Sequence, residues 1–180
     1  VWRLATNDYL ARLHQVGVPD DLSGIIKLFG HTRATDPDRF RPTAGGPAHE
    51  LLFVGGWRQA GRRILEDLLP TNHELAVYGG RWTPELIDPR YLAGGAIPNE
   101  DLAAHYAAAA IVLNDHWAGM RREGFLSNRL YDASAAGAFV ISDDVEGLAA
   151  DFDGGVVGYR DRAHLTALID PRLALLAPAD

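Results

Sequence analysis

Between Asn114 and Gly137 the chain gathers many of the side chains that could hold a charged ligand. The segment opens with Asn114-Asp115-His116-Trp117, passes through Arg121-Arg122-Glu123-Gly124-Phe125, and continues as Ser127-Asn128-Arg129 to Asp132. It follows the apolar run Ile111–Leu113, so it begins where a strand would end. Ser127 or Asn128 suits the N-cap of a helix, and Gly137 suits its stop. The first turn of such a helix presents unpaired N–H groups and the positive end of the helix dipole. Ser127 and Asn128 add donors, Arg129 adds a cationic fork, and the combination suits phosphate oxygens. Asp132 lies just over one turn further in, where a carboxylate can accept hydrogen bonds from a ribose diol. Each residue alone is equally compatible with a capped helix whose Asp132 steadies its own first turn. A second basic loop facing them makes a nucleotide diphosphate the better reading.

That second loop runs Gly55-Gly56-Trp57-Arg58-Gln59-Ala60-Gly61-Arg62-Arg63. Gly56 allows a tight turn and a close backbone approach, while Arg58, Arg62 and Arg63 supply cationic forks. Arginine in a first helical turn opposes the macrodipole, so local helix stability would not select it. An anion-binding role for at least one of the three follows. The dinucleotide fingerprint is excluded by the glycine spacing and by a second strand that ends Tyr78-Gly79-Gly80-Arg81 without an acid. A Walker A loop is excluded by the absence of Gly-Lys-Ser/Thr.

His116 is either a structural or solvated loop residue or a sugar contact, and Trp117 is either a hydrophobic plug or a stacking surface for sugar or base. His31 and Arg33 either line a cleft or lie on a surface loop. No histidines have metal-ligand spacing, and no metal site is expected.

Positioning these loops requires alternating strands and helices. Apolar runs at Leu51–Val54, Leu75–Tyr78, Ala96–Ile97, Ile111–Leu113, Ala138–Ile141 and Gly155–Val157 read as strands. Helical patterns fall near Gly61–Leu69, Glu100–Ala109, Ser127–Ala136, Glu146–Asp151 and Arg162–Ile169. The strands are continuously apolar rather than alternating, as expected when helices cover both faces. The fold expected is a Rossmann-like, doubly wound parallel sheet with ligands beyond the carboxyl ends of its strands. Residues 1–48 differ: a helix over Tyr9–Val16, a strand over Gly24–Phe29, then a Pro- and Gly-rich surface linker from His31 to Pro47. The expected domain therefore spans 49–180, with 1–48 as the end of a preceding domain plus a linker.

Composition narrows the classes. The 180 residues carry a formal charge of −7, with acids dispersed and no basic stripe, which argues against nucleic-acid partners. Absence of cysteine rules out disulfides and thiolate chemistry and suits the cytoplasm. The longest apolar stretch, Ala107–Leu113, is far too short for a membrane span. The chain opens on Val1 and its sole methionine is Met120, so a piece of a longer protein is expected.

The stretch Glu123-Gly124-Phe125…Asp132-Ala133…Gly137-Ala138-Phe139-Val140-Ile141-Ser142 resembles the nucleotide-sugar site of GT-B glycosyltransferases. Asn114-Asp115-His116-Trp117 with Gly124–Asp132 looks more closely like their spore-maturation-type, CgeB-like group. The resemblance covers roughly Leu51 to Leu168 and reaches Thr35–Pro42, which is similar to the segment joining the two GT-B domains.

The resemblance implies a glycosyltransferase, of hexosyltransferase type, using an NDP-sugar donor, UDP- or GDP-linked, with no cofactor and no obligatory metal. Glu123 matches an acid near the donor sugar. Asp132 takes the ribose-binding position, although it is shorter than the family's Glu and one residue further along. Arg58 and Arg62 or Arg63 match the diphosphate contacts approximately. Glu123 and His116 are thus the catalytic candidates, with Gly56, Arg58, Arg62, Ser127, Asn128, Arg129 and Asp132 as donor-binding candidates. The acceptor, of unknown chemistry, would be held by the protein's own N-terminal Rossmann-like domain, leaving this chain inactive alone.

Three rivals share some of the pattern: a nucleotide-sugar epimerase or hydrolase, a non-catalytic binding module, and a flavodoxin-like signalling domain. The last would need Asp115 and Asp143-Asp144 as its acids together with a lysine, but the sole lysine, Lys27, precedes the sheet.

Overall fold

The computed structural model describes residues 35–57, 61–152 and 154–176. The expected helix Tyr9–Val16, the expected strand Gly24–Phe29, His31, Arg33 and Arg58 lie outside the described residues.

Among the described residues six strands form one sheet: β1 His49–Val54, β2 Leu75–Tyr78, β3 Leu92–Gly94, β4 Ala109–Asn114, β5 Val140–Asp143 and β6 Val156–Tyr159. Every pairing is parallel and the order is β3-β2-β1-β4-β5-β6, a Rossmann-like arrangement. The connecting helices are α1 Arg63–Leu68, α2 Leu102–Ala108, α3 Ala118–Arg122, α4 Asn128–Ala135, α5 Leu148–Phe152 and α6 Arg162–Leu176.

The continuous apolarity of the strands has a direct cause. In β1, Leu51 and Phe53 pack with Ile64, Leu113 and Ile141 in one core, and Leu165 and Ile169 join them. The intervening Leu52 enters a second core with Val112, Val140, Leu130 and Ala133. Each face of the sheet is therefore apolar, so no position can be given to a polar residue at low cost.

Two elements differ from expectation. The third strand lies at Leu92–Gly94 rather than Ala96–Ile97, paired as Val77↔Leu92 and Tyr78↔Gly94 with a register irregularity between them. This edge strand is held by main-chain pairing and is largely open to solvent, so it carries no apolar run to find. The C-terminal helix continues beyond Ile169, through Pro171, to Leu176.

The described part of the Pro- and Gly-rich stretch before β1, residues 35–47, is mostly exposed, as a surface linker is, and touches the domain at a few points. Phe40 is buried, its ring 6.4 Å from Tyr106 on α2. Gly46 runs so close to α2 that a Cβ there would stand 2.0 Å from the Ala104 carbonyl oxygen. Only glycine fits this contact.

Candidate functional site

β1 and β4 are neighbours, and the chain leaves them toward opposite edges of the sheet. The crevice beyond their carboxyl ends is the topological switch point, where ligands of such sheets bind.

At the end of β1, Gly55-Gly56 meets Gly79-Gly80 from β2 backbone to backbone. A Cβ on Gly56 would stand 2.7 Å from the Gly80 oxygen, and one on Gly79 2.4 Å from the Gly55 oxygen. Gly56 thus has a packing reason to be glycine, independent of any ligand. The Trp57 N–H donates to the Gly80 carbonyl at 3.0 Å and the Trp82 indole to the Gly55 carbonyl at 2.9 Å. This brings the two indoles to 6.0 Å, an aromatic wall that the sequence did not advertise.

Arg62, at the N-cap of α1, turns inward and is buried. Its guanidinium forms a two-point ion pair with buried Asp115, with Nε to Oδ2 at 3.2 Å. The guanidinium carbon lies 4.8 Å from the Phe53 ring centre and 5.4 Å from that of Trp117, both cation–π distances. Burial pushes the Asp115 carboxyl above its ordinary range, and the Arg62 charge draws it partly back.

Arg129, in the first turn of α4, reaches across to β4. Its NH1 donates to Asn114 Oδ1 at 2.9 Å, and its guanidinium carbon is 5.8 Å from the Phe53 ring centre. Burial lowers the Arg129 pKa from its ordinary value, and the nearby Arg62 charge lowers it further, while Tyr106 and Asp115 hold it up. Two guanidiniums therefore stand at the switch point, Arg62 paired with Asp115 and Arg129 bonded to Asn114. Fixed guanidinium forks of this kind suit phosphate oxygens.

His116 is buried, and both ring nitrogens have protein partners. Nδ1 lies 2.6 Å from Asp143 Oδ1, and Nε2 accepts the backbone N–H of Ser127 at 3.0 Å. In this arrangement His116 is turned toward Asp143 and the start of α4, its side chain buried. Ser127 occupies the N-cap of α4, but its hydroxyl does not turn back to cap it. The helix ends with Gly137 at φ 86°, the left-handed stop that glycine permits. Asn128 is exposed at the first helical position.

Asp132 is half-buried. Burial raises its carboxyl pKa, against opposing effects of the Thr35 hydroxyl and Arg129. Arg129 and Asp132 are three residues apart and share a face of α4. Glu123 closes α3 and pairs with neighbouring Arg122 at 2.8 Å, partly exposed. Gly124 follows at φ 67°, so the turn after the acid requires a residue tolerant of left-handed backbone.

The structure therefore brings Gly56, Arg62, Arg129 and the start of α4 to one end of the sheet. Asn114, Asp115, Ser142 and Asp143 were read within motifs or as acids of a rival domain, and not as the partners of Arg62, Arg129 and His116. Their signal was present as two strand-end dipeptides, Asn114-Asp115 and Ser142-Asp143, set side by side by the register Asn114↔Ser142.

A family profile described as glycosyl transferase-like matches residues 58–175. The chain belongs to this glycosyl transferase-like family. No curated protein sequence matches it. Among solved structures it is similar to AviGT4, a glycosyltransferase involved in Avilamycin A biosynthesis, at TM-score 0.54 and 21% identity over 78% of this chain. The chain spans 47% of the AviGT4 chain. It is also similar to a chain of the GtfA/B complex, at TM-score 0.44 and 16% identity, covering 78% of this chain and 32% of that one. At 21% identity the likeness to AviGT4 is one of fold. Among the described residues no helix is long and apolar enough to cross a membrane.

Proposed function

We propose that this chain is the nucleotide-sugar-binding domain of a GT-B-type hexosyltransferase, within the CgeB-like group, that works in the cytoplasm on a UDP- or GDP-linked donor. The observation that carries this reading is the placement of two fixed guanidiniums at the switch point, Arg62 held by Asp115 and Arg129 held by Asn114. The diphosphate would lie against these guanidiniums, the first N–H groups of α4 at Asn128 and Arg129, and the Ser127 hydroxyl. Asp132, further along α4, would accept hydrogen bonds from the ribose, and Glu123 would face the donor sugar. Arg58 would add a further cation to the phosphates.

Glycosyl transfer develops negative charge on the departing diphosphate as the bond to the sugar breaks. Guanidiniums already fixed by Asp115 and Asn114 stabilise that charge without reorganising. No cofactor or obligatory metal enters this scheme. The acceptor would dock on the protein's own N-terminal Rossmann-like domain. Orientation of the two substrates supplies much of the rate, so the 180-residue chain alone would be catalytically silent.

Calorimetric titration with UDP, GDP, ADP and their sugar conjugates, in the presence of a chelator, tests the reading. One nucleoside diphosphate binds. If none binds at millimolar concentration, the donor-site reading fails.

A further inference from the structure

The geometry points to Asp143 as a positioning residue that, through His116 on one side and Ser142–Asn114 on the other, sets the phosphate-facing first turn of α4. This role rests on the donor-site reading above. Two hydrogen-bonded arms leave that turn and meet at one oxygen. In the first, the Ser127 N–H donates to His116 Nε2 at 3.0 Å, and His116 Nδ1–H donates to Asp143 Oδ1 at 2.6 Å. In the second, Arg129 NH1 donates to Asn114 Oδ1 at 2.9 Å, Asn114 Nδ2 donates to Ser142 Oγ at 2.9 Å, and Ser142 Oγ–H donates to Asp143 Oδ1 at 3.3 Å. The His116 backbone N–H, at 3.0 Å, is a further donor to the same oxygen.

The arms are chemically directional. Arg129 has only donors, so Asn114 must turn its oxygen toward it and its amide NH2 toward Ser142. Ser142 then accepts from Asn114 and has its one proton for Asp143. On the other arm a backbone N–H can only donate, so His116 Nε2 must be unprotonated and Nδ1 must carry the proton. A carboxylate, which is acceptor-only, satisfies both arms at once. The side chains of His116 and Asp143 are fully buried, so water does not substitute for these bonds. The other carboxylate oxygen has no hydrogen bond, and the Arg121 guanidinium stands 3.7 Å from it.

The consequence is that one residue at the tip of β5 controls both the Ser127 end of the turn and the Arg129 guanidinium. The network never touches the ligand. It acts through the placement of the groups that do.

The test uses the 180-residue chain, its His116→Phe and Ser142→Ala variants, and one nucleoside diphosphate with its parent nucleoside. His116→Phe cuts the Ser127 arm and keeps a ring in the cavity. It lowers diphosphate affinity about tenfold while nucleoside affinity changes little. Ser142→Ala, a mild change if the first variant unfolds, gives a smaller loss with the same selectivity for the diphosphate. Nitrogen-15 spectra of the His116 ring in the wild type show the neutral form with the proton on Nδ1. If wild type binds and both folded variants keep its diphosphate-over-nucleoside preference, the network is structural only and this inference fails alone. A wild type that binds no diphosphate defeats the donor-site reading and this role with it. A proton on Nε2 in the folded wild type overturns the network whatever binds.

Discussion

Both ends of the parallel sheet collect histidine, carboxylate and arginine side chains, yet the two clusters obey different energetics. At the amino ends of β1–β3, His49 pairs with Glu74 at 2.8 Å and His73 with Asp170 at 3.0 Å, beside a cavity of about 360 Å³ that Arg90 and Tyr91 help to line. The carboxylates there are about half exposed. At the carboxyl ends, Arg62–Asp115 and His116–Asp143 are buried in the protein. Exposed pairs are screened and contribute little. Buried pairs are costly to form and costlier to break. The position of a polar pair relative to solvent, rather than its presence, separates a solvated edge from a preorganised site.

The largest effect expected from this contrast is on stability. Asp115→Ala leaves Arg62 buried without its counter-charge, and denaturant unfolding should show a loss of about 3–5 kcal/mol. A loss below about 1 kcal/mol would place this pair with the solvated ones.

Next comes binding. Arg129→Ala should weaken a nucleoside diphosphate about tenfold or more while sparing the nucleoside, since a charge-assisted hydrogen bond is at stake. Equal losses for both ligands would move the phosphates away from α4.

Asp132→Asn should give a smaller, few-fold loss of preference for a ribonucleotide over its 2′-deoxy form, a single hydrogen bond being the difference. The pH dependence follows from the raised Asp132 pKa. The binding form is the carboxylate, so the ribo preference is full only above the folded pKa. It fades as pH falls through the folded value, which lies above the ordinary 3.8. A preference flat down to that ordinary value would show that another group holds the sugar.

The smallest effect belongs to the amino end. Burial pushes the Glu74 carboxyl upward, but the hydrogen bonds from His49 and the Glu50 amide outweigh it and hold the pKa below 4.5. A depressed pKa contributes stability above the ordinary value, which is lost as pH falls through the folded one. Glu74→Gln should therefore cost less than about 1 kcal/mol at neutral pH, and nothing once Glu74 is protonated. A cost comparable to that of Asp115→Ala would abolish the contrast between the two ends.

Much of this arrangement could be read from the chain because it is written in local terms. Leu51–Val54 and Ile111–Leu113 are apolar at every position since both faces of their strands are covered. Arg62 stood out because arginine opposes the start of its own helix, and Arg129 because it follows the candidate cap residues Ser127 and Asn128. β3 escaped because Leu-Ala-Gly at an edge carries no apolar run, and α3 because five residues, Ala118–Arg122, are too few to show a period. The His116–Asp143 pair escaped for a different reason. It joins residues 27 apart in the chain through the ends of adjacent strands, and only strand register reveals such a partnership. Asp143 drew notice solely as a candidate signalling acid. Its place beneath the start of α4 assigns it other work.

The central claim is that the carboxyl end of the sheet, not the amino end, receives the diphosphate. Amide chemical-shift mapping during titration with the nucleoside diphosphate selected by calorimetry tests it most directly. The account predicts the largest shifts at Gly55, Gly56, Arg62 and Ser127–Arg129, with His49, His73 and Glu74 unmoved. Shifts centred on His49, His73 and Arg90 would contradict it.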